Sequence, residues 1–345
     1  MDFPTPERRT VEMRDITVAR FQAEVRPAAR PVILKGLVAG WPAVQAGTSS
    51  AADLAEHLTG FATPRPVRFI IAPPDRQGAF FYNETLSGVN FDTRQGPLGE
   101  LLKGLIHWID KENSPAIAAQ SMLASVATPG FSAVNVAPEI VGDTPARLWI
   151  GNAAVVPTHH DMYENLACAV AGRRRFILFP PSAVADLYVG PFERTLAGAL
   201  VSLVRLHDPD PVRWPRFAQA WAQAEVADLE PGDALYIPYM WWHHVQSFDP
   251  FSMLVNYWWN DDERDLRPKE ALVHAMAVLR DLPQDQKAVW QSMFDAFVFT
   301  GDAEPGQHIP EAARGVQTRL DPASAQALVE SLARSILQRG ASRGK

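Results

Sequence analysis

The stretch from Ala116 to Asn260 most constrains the fold. Its apolar residues come in short runs, "RLWIG", "NLACAV", "RRFILFPP", "DALYIP" and "SMLVNYWW", punctuated by glycine, proline and charged turns. A helix in a core needs an apolar stripe sustained over ten or more residues; short apolar runs bounded by turn residues are strands. "AGR" at Ala171–Arg173 fits a hairpin turn between two of the runs, and "EPGD" at Glu230–Asp233 fits another. The expected unit is an antiparallel all-β sandwich or barrel.

The flanks read differently. Before Ala116, strand and helix signals alternate. "PVILKG" and "PVRFIIAP" are strand-like; "SAADLAEHLTG" starts at a capping Ser50 and stops at Gly60. "PLGELLKGLIHWID" sets Leu98, Leu101, Leu102, Leu105 and Trp108 at helical spacing, with Pro97 as a first-turn residue. After Asn260 the chain reads as helices: "RPKEALVHAMAVLRDL", "PQDQKAVWQSMFDAFVF" and "DPASAQALVESLARSILQRG". The last is capped by Asp321, carries the stripe Leu328, Leu332 and Ile336, and is expected to stop at Gly340. The predicted organisation is α/β elements over 1–115, a β-core over 116–260 and a helical region over 261–345.

Composition excludes some classes. With 32 basic and 39 acidic residues the net charge is −7, so no basic face for nucleic acid is expected. The single cysteine, Cys168, permits no intrachain disulfide, and the N-terminal "MDFPTPERRTVEMRD" has no apolar signal region. A cytoplasmic setting is expected. Residues 113–138 carry no charge, but Pro115, Pro129 and Gly130 interrupt them, and they read as buried strand and loop, not a membrane span.

"PTHHD" carries chemistry. Alternate residues of a strand share a face, so His159 and Asp161 face together and His160 faces away. An imidazole and a carboxylate on one face make half a metal site. The third ligand is expected in "PGDALYIPYMWWHHVQSF", at His243 or His244; spacing does not choose between them. Two histidines and one carboxylate with open positions form the facial triad of non-haem Fe(II) oxygenases. Zinc and manganese accept the same donors.

"PTHHD", "AGRRRFILFPP", "PGDALYIPYMWWHHV" and "VNYWW" together resemble the cupin-like JmjC proteins. Within them the resemblance is to the branch of the asparaginyl hydroxylase acting on hypoxia-inducible factor. It extends to "PVILKGLVAGWPAV" and to the helical tail. It implies a mainly β fold with flanking α elements, built on a double-stranded β-helix, the jelly roll or cupin. It selects His243, giving His159, Asp161 and His243 as iron ligands. Arg174 stands where the family places a lysine that grips the distal carboxylate of 2-oxoglutarate. Asn165, Asn256 and Trp258 match family positions near the site. The tyrosine that often precedes the "Q" of the strand entering the core is Ala118 here, and Tyr82 in "GAFFYNE" is the neighbouring hydroxyl offered in its place.

The implied activity is Fe(II)- and 2-oxoglutarate-dependent oxygenation, with hydroxylation of a protein side chain or small molecule favoured over demethylation. A homodimer through the C-terminal helices is expected as well. Two other readings stand beside it: a metal-dependent cupin enzyme that does not use 2-oxoglutarate, and a non-catalytic cupin that binds a ligand or protein. Each residue also has an ordinary reading. Arg174 sits in an "RRR" run that could be solvated, and Trp241, Trp242, Trp258 and Trp259 could all be core.

Overall fold

The structure, a computed structural model, describes residues 4–342 apart from 197, 262–267 and 301–303. It divides into two compact units, Met1–Trp259 and Asn260–Lys345.

The first unit is a jelly roll of two facing sheets. Its strands are β1 (Arg8–Arg9), β2 (Val11–Met13), β3 (Val32–Leu34), β4 (Pro66–Ala72), β5 (Asp92–Pro97), β6 (Ala116–Leu123), β7 (Ala146–Gly151), β8 (Ala154–His160), β9 (Glu164–Ala171), β10 (Arg174–Phe179), β11 (Glu225–Leu229), β12 (Ala234–Ile237), β13 (Trp242–Ser247) and β14 (Ser252–Trp259). The five-stranded sheet runs β1-β11-β10-β13-β8, and the nine-stranded sheet runs β2-β3-β12-β9-β14-β7-β6-β4-β5. The early strands thus extend the core sheets: β2 and β3 at one edge of the larger sheet, β4 and β5 at the other.

Alternation along β9 sets which side chains face the space between the sheets. Ala167 and Ala169 point inward with Leu254, toward Phe176, Leu178 and Ala227 of the facing sheet. Leu166, Cys168 and Val170 point outward, onto Phe21 and the helices Ala51–Thr59 and Leu98–Trp108 through Leu54, Leu58, Leu102 and Leu105. Small side chains inside and large ones outside leave room between the sheets while sealing the outer face.

Local signals act where expected at several places. Ser50 accepts a hydrogen bond from the Asp53 N–H at 3.0 Å and caps its helix. Asp321 does the same for the helix Pro322–Ser342, accepting from the Ser324 N–H at 3.0 Å. The β9–β10 hairpin turns through Gly172, whose φ of 73° and whose approach to the Phe251 carbonyl, 2.8 Å from where a Cβ would sit, leave room for glycine alone.

Three local expectations are corrected. Pro97 is the cap residue ahead of the helix, with ψ 141° as the last residue of β5, and not a first-turn residue. Residues 113–138 hold β6 but also two single-turn helices, Ala124–Ala127 and Phe131–Val134. The final helix continues through Gly340 to Ser342; one glycine costs about 1 kcal/mol, which does not stop a long helix.

The second unit contains the helices Pro268–Leu279, Gln284–Phe297 and Pro322–Ser342. Ala325 is the one hydrophobic side chain described there as buried, and Leu328, Leu332 and Ile336 are exposed. Among the described residues no helix is long and apolar enough to cross a membrane.

Candidate metal centre

β8 and β13 are antiparallel neighbours, and their register sets His159 directly opposite His243. Paired residues in a sheet point to the same face, so both imidazoles enter the space between the sheets. Asp161 follows β8 immediately, its carbonyl accepting from the Met240 N–H at 3.2 Å. One ligand atom from each of His159, Asp161 and His243 lies within 4.8 Å of the others. The His243 Nε2 is 3.5 Å from an Asp161 carboxylate oxygen, and the two imidazole centroids are 4.2 Å apart. His160 and His244 face the other way: His160 packs edge-on against Trp242 at 4.5 Å.

The donor chemistry fits a divalent cation. The His159 Nδ1 lies 2.8 Å from the Pro157 carbonyl, and the His243 Nδ1 lies 3.1 Å from the Trp241 carbonyl. A carbonyl accepts only, so each Nδ1 carries the proton and each Nε2 presents a lone pair. Burial, with His243 beside it, pushes His159 down to about 4, so the ring is neutral and ready to ligate at neutral pH. Burial raises the Asp161 carboxyl, but the neighbouring histidines, His243 foremost, outweigh that and hold it below the usual carboxylate range. Two imidazoles, each turned to present Nε2, and one carboxylate on one face of the barrel therefore stand as a three-ligand set with open sides.

Arg174 lies deeper in the same barrel. On β10, Leu178 is opposite His243 while Arg174 is opposite Ser247. Four residues at about 3.3 Å each put Arg174 roughly 13 Å along the strand from the ligands' level. Its guanidinium crosses to the other sheet and donates to the Ser252 hydroxyl at 3.1 Å. It is 9% exposed and forms no ion pair with any described residue, whereas its neighbours Arg173 and Arg175 pair with Asp249 and Asp228 on the outside. Burial lowers Arg174 to about 10, which leaves it charged at neutral pH.

On the facing sheet, Asn165, Asn256 and Trp258 cluster at the ligand end. Their order is fixed by Trp149, a residue that no motif marks. The Trp149 Nε1–H donates to the Asn256 Oδ1 at 2.7 Å, and the Asn256 Nδ2 donates to the Asn165 Oδ1 at 3.3 Å. An indole N–H only donates, so both amides are oriented, and the Asn165 Nδ2 is left as the free end of the chain. Trp258 lies next in β14, opposite Asn165, with Tyr163 stacked on it at 5.6 Å. Trp241 and Trp242 are buried core.

Tyr82 goes elsewhere. Its hydroxyl donates to the Arg194 carbonyl at 2.7 Å. It lines a cavity of about 460 Å³ together with Phe81, Arg205, His207 and His244, and none of the three ligands lines that space. His244 is therefore on the outer side of β13, and burial pushes it down to about 3.

The sequence has counterparts among known proteins. Human HSPB1-associated protein 1 is 37% identical over 137 residues, covering 39% of this chain and 27% of that protein. Lysine-specific demethylase 8 of Xenopus tropicalis is 26% identical over 240 residues, 67% of this chain and 48% of its own length. Jumonji C domain-containing protein 5 of Drosophila melanogaster is 37% identical over 122 residues, 34% of this chain and 29% of its own. The chain thus spans less than half the length of each of these relatives. The cupin-like domain profile matches residues 18–265, which takes in every strand from β3 to β14 and all three candidate ligands. On that match the chain belongs to the cupin-like, JmjC-domain family.

Proposed function

We propose that this protein is an Fe(II)- and 2-oxoglutarate-dependent oxygenase that hydroxylates a protein side chain or a small molecule. One observation carries the reading: a buried arginine without a carboxylate partner among the described residues sits in the barrel, below three ligands that suit a divalent ion. A buried unpaired charge is costly, and a dicarboxylate with one end near the ligands would bring its counter-charge.

His159, Asp161 and His243 would hold the iron, which when bound supplies the redox chemistry for activating O₂. The protein's own residues do the rest. The Pro157 and Trp241 carbonyls keep both imidazoles in the tautomer that offers Nε2. Arg174 offers two parallel N–H donors to the far carboxylate of 2-oxoglutarate, with Ser252 steadying the guanidinium. The oriented Asn165 amide offers a donor beside the ligands. Inward Ala167 and Ala169 leave space, and the aromatic wall of Trp149 and Trp258 limits water.

The test is anaerobic titration of Fe(II) and then 2-oxoglutarate, followed by succinate measurement in air without added substrate. Slow uncoupled succinate formation that disappears in Asp161→Ala is expected. A cupin that binds metal, takes up no 2-oxoglutarate and releases no succinate would refute the proposal.

A further inference from the structure

A second inward arginine is unexplained by the co-substrate. Arg147 is on β7, two residues from Trp149 and so on the same face. It is opposite Asn256, whereas Gly151, at the other end of β7, is opposite Ser252, the partner of Arg174. The two arginines therefore occupy opposite ends of the barrel: Arg174 at depth and Arg147 at the rim where the three ligands stand. The ends of the co-substrate are already accommodated by the ligands and Arg174.

Arg147 is held in place. Its guanidinium carbon lies 5.4 Å from the centre of the Trp258 ring, and that ring is stacked on Tyr163. Its Nη1 donates to the Ser121 hydroxyl at 3.1 Å. Ser121 is itself unusual. The β6–β7 register slips between Ala119 and Met122, and Ser121 has φ 54°, a left-handed conformation that serine adopts at a cost. A bulge of this kind re-aims a side chain, and here it aims a hydroxyl at Arg147.

The surrounding groups are donors. Arg147 forms no ion pair with a described residue, and its remaining N–H groups meet no acceptor among them. Among the described residues the buried Trp258 Nε1 meets no acceptor, and neither does the Asn165 Nδ2 at the end of its hydrogen-bond chain. Two donors without acceptors beside a fixed cation are complementary to an acceptor-only group.

Resting on the oxygenase reading, we propose that Arg147 is a specificity-determining residue that selects a substrate bearing a carboxylate close to the carbon to be oxidised. The carboxylate lies on Arg147 while Trp258 and Tyr163 flank the connecting carbons. It is supplied by an acidic side chain of a polypeptide or by a free small acid.

The test uses protein loaded with Mn(II) and N-oxalylglycine, a non-reactive 2-oxoglutarate analogue. Binding is measured to peptide pools with a fixed central Glu, Gln or Lys between random positions, and to N-acetyl-glutamate as the small acid. Wild type is expected to prefer an acid-bearing probe over its neutral counterpart by about tenfold to a hundredfold, the range for a hydrogen-bonded charge. Arg147→Gln should lose the preference, and Arg147→Glu should turn it toward the Lys pool. Peptide preference without N-acetyl-glutamate binding identifies the polypeptide source, and equal binding identifies the small acid. If wild type, Arg147→Gln and Arg147→Glu rank the probes alike, the proposal is overturned. A protein that takes up neither 2-oxoglutarate nor its analogue overturns the oxygenase reading, and this inference with it. Thermal melts identify a misfolded variant, and Arg147→Gln, which removes charge with little change in volume, is the safer of the two.

Discussion

Replacing Arg174 by methionine should move stability and co-substrate affinity in opposite directions. The arginine is buried, meets only the Ser252 hydroxyl, and is pulled from the ordinary arginine range to about 10 by burial. A shift of that size corresponds to a few kcal/mol of unfavourable burial of charge, at about 1.4 kcal/mol per pH unit. Methionine fills similar space without charge, and exchanging buried ions for apolar residues is often stabilising by about 1–4 kcal/mol. Loss of the Ser252 hydrogen bond returns about 1 kcal/mol of that. The ligand-free variant should therefore be more stable than wild type by up to about 3 kcal/mol in urea melts. For 2-oxoglutarate the sign reverses. Losing one partner of a buried pair costs about 3–5 kcal/mol, which is roughly a hundredfold to a thousandfold or more in affinity. Arg174→Lys should keep part of the affinity and lose the two-pronged grip. Calorimetric titration into metal-loaded protein, beside the melts, reads both numbers. A destabilised Arg174→Met with unchanged 2-oxoglutarate affinity would show that the arginine is a structural residue.

Alanine at His159, Asp161 or His243 should reduce Fe(II) occupancy sharply, while His160→Ala and His244→Ala retain it; equal loss in all five would refute the ligand assignment. The metal-free protein should lose stability as pH falls below about 6.5, because His159 and His244 stay neutral when folded, to about 4 and about 3, and take up protons only when unfolded. The slope approaches about 1.4 kcal/mol per pH unit for each histidine, and pH-independent urea midpoints between pH 7 and pH 4.5 would contradict it. Trp149→Phe keeps the ring but removes the N–H that orients Asn256 and Asn165; 2-oxoglutarate affinity should fall with metal affinity unchanged, and an unaffected titration would remove Trp149 from the site. We also propose that the exposed stripe of Leu328, Leu332 and Ile336 joins two copies into a dimer, which light scattering at micromolar concentration tests against a monomer.

Much of this was legible because it is local. Short apolar runs ending at turn residues are a property of strands, and β7, β9, β10, β12 and β14 follow the runs quoted at the outset. The pairing of His159 with Asp161 follows from two-residue spacing. The choice of His243 over His244 does not, because adjacent residues exchange faces with one step of register. What decides it is that His243 lies opposite both His159 and Leu178. Trp149 was illegible for a related reason: its partner Asn256 is 107 residues away, and nothing near "RLWIG" marks an indole as oriented by a distant amide. The bulge at Ser121 was hidden too, since the slip exists only in the pairing of β6 with β7. Tyr82 shows the opposite error, where a hydroxyl near the right stretch of sequence is engaged by Arg194 on another loop.

The charge inside the barrel ties these observations together. A chain of net −7 places Arg174 and Arg147 on inward faces, where neither pairs with a described carboxylate; Asp161 stands with the ligands, and the buried Glu225 is engaged by Arg30. A bound dication makes the same space more positive. Arg174 is buried where water does not screen it, so its charge is the costly one until a counter-charge meets it. Each anion that enters removes part of the cost and is held more tightly for it. On the proposed reading, the same electrostatics would favour a diacid at depth and a carboxylate at the rim. Ligands that bind only the folded state add stability as their concentration exceeds Kd, by about 2.7 kcal/mol at a hundredfold excess. An interior built from neutral polar residues would fold with less strain and would have no comparable means of preferring acids.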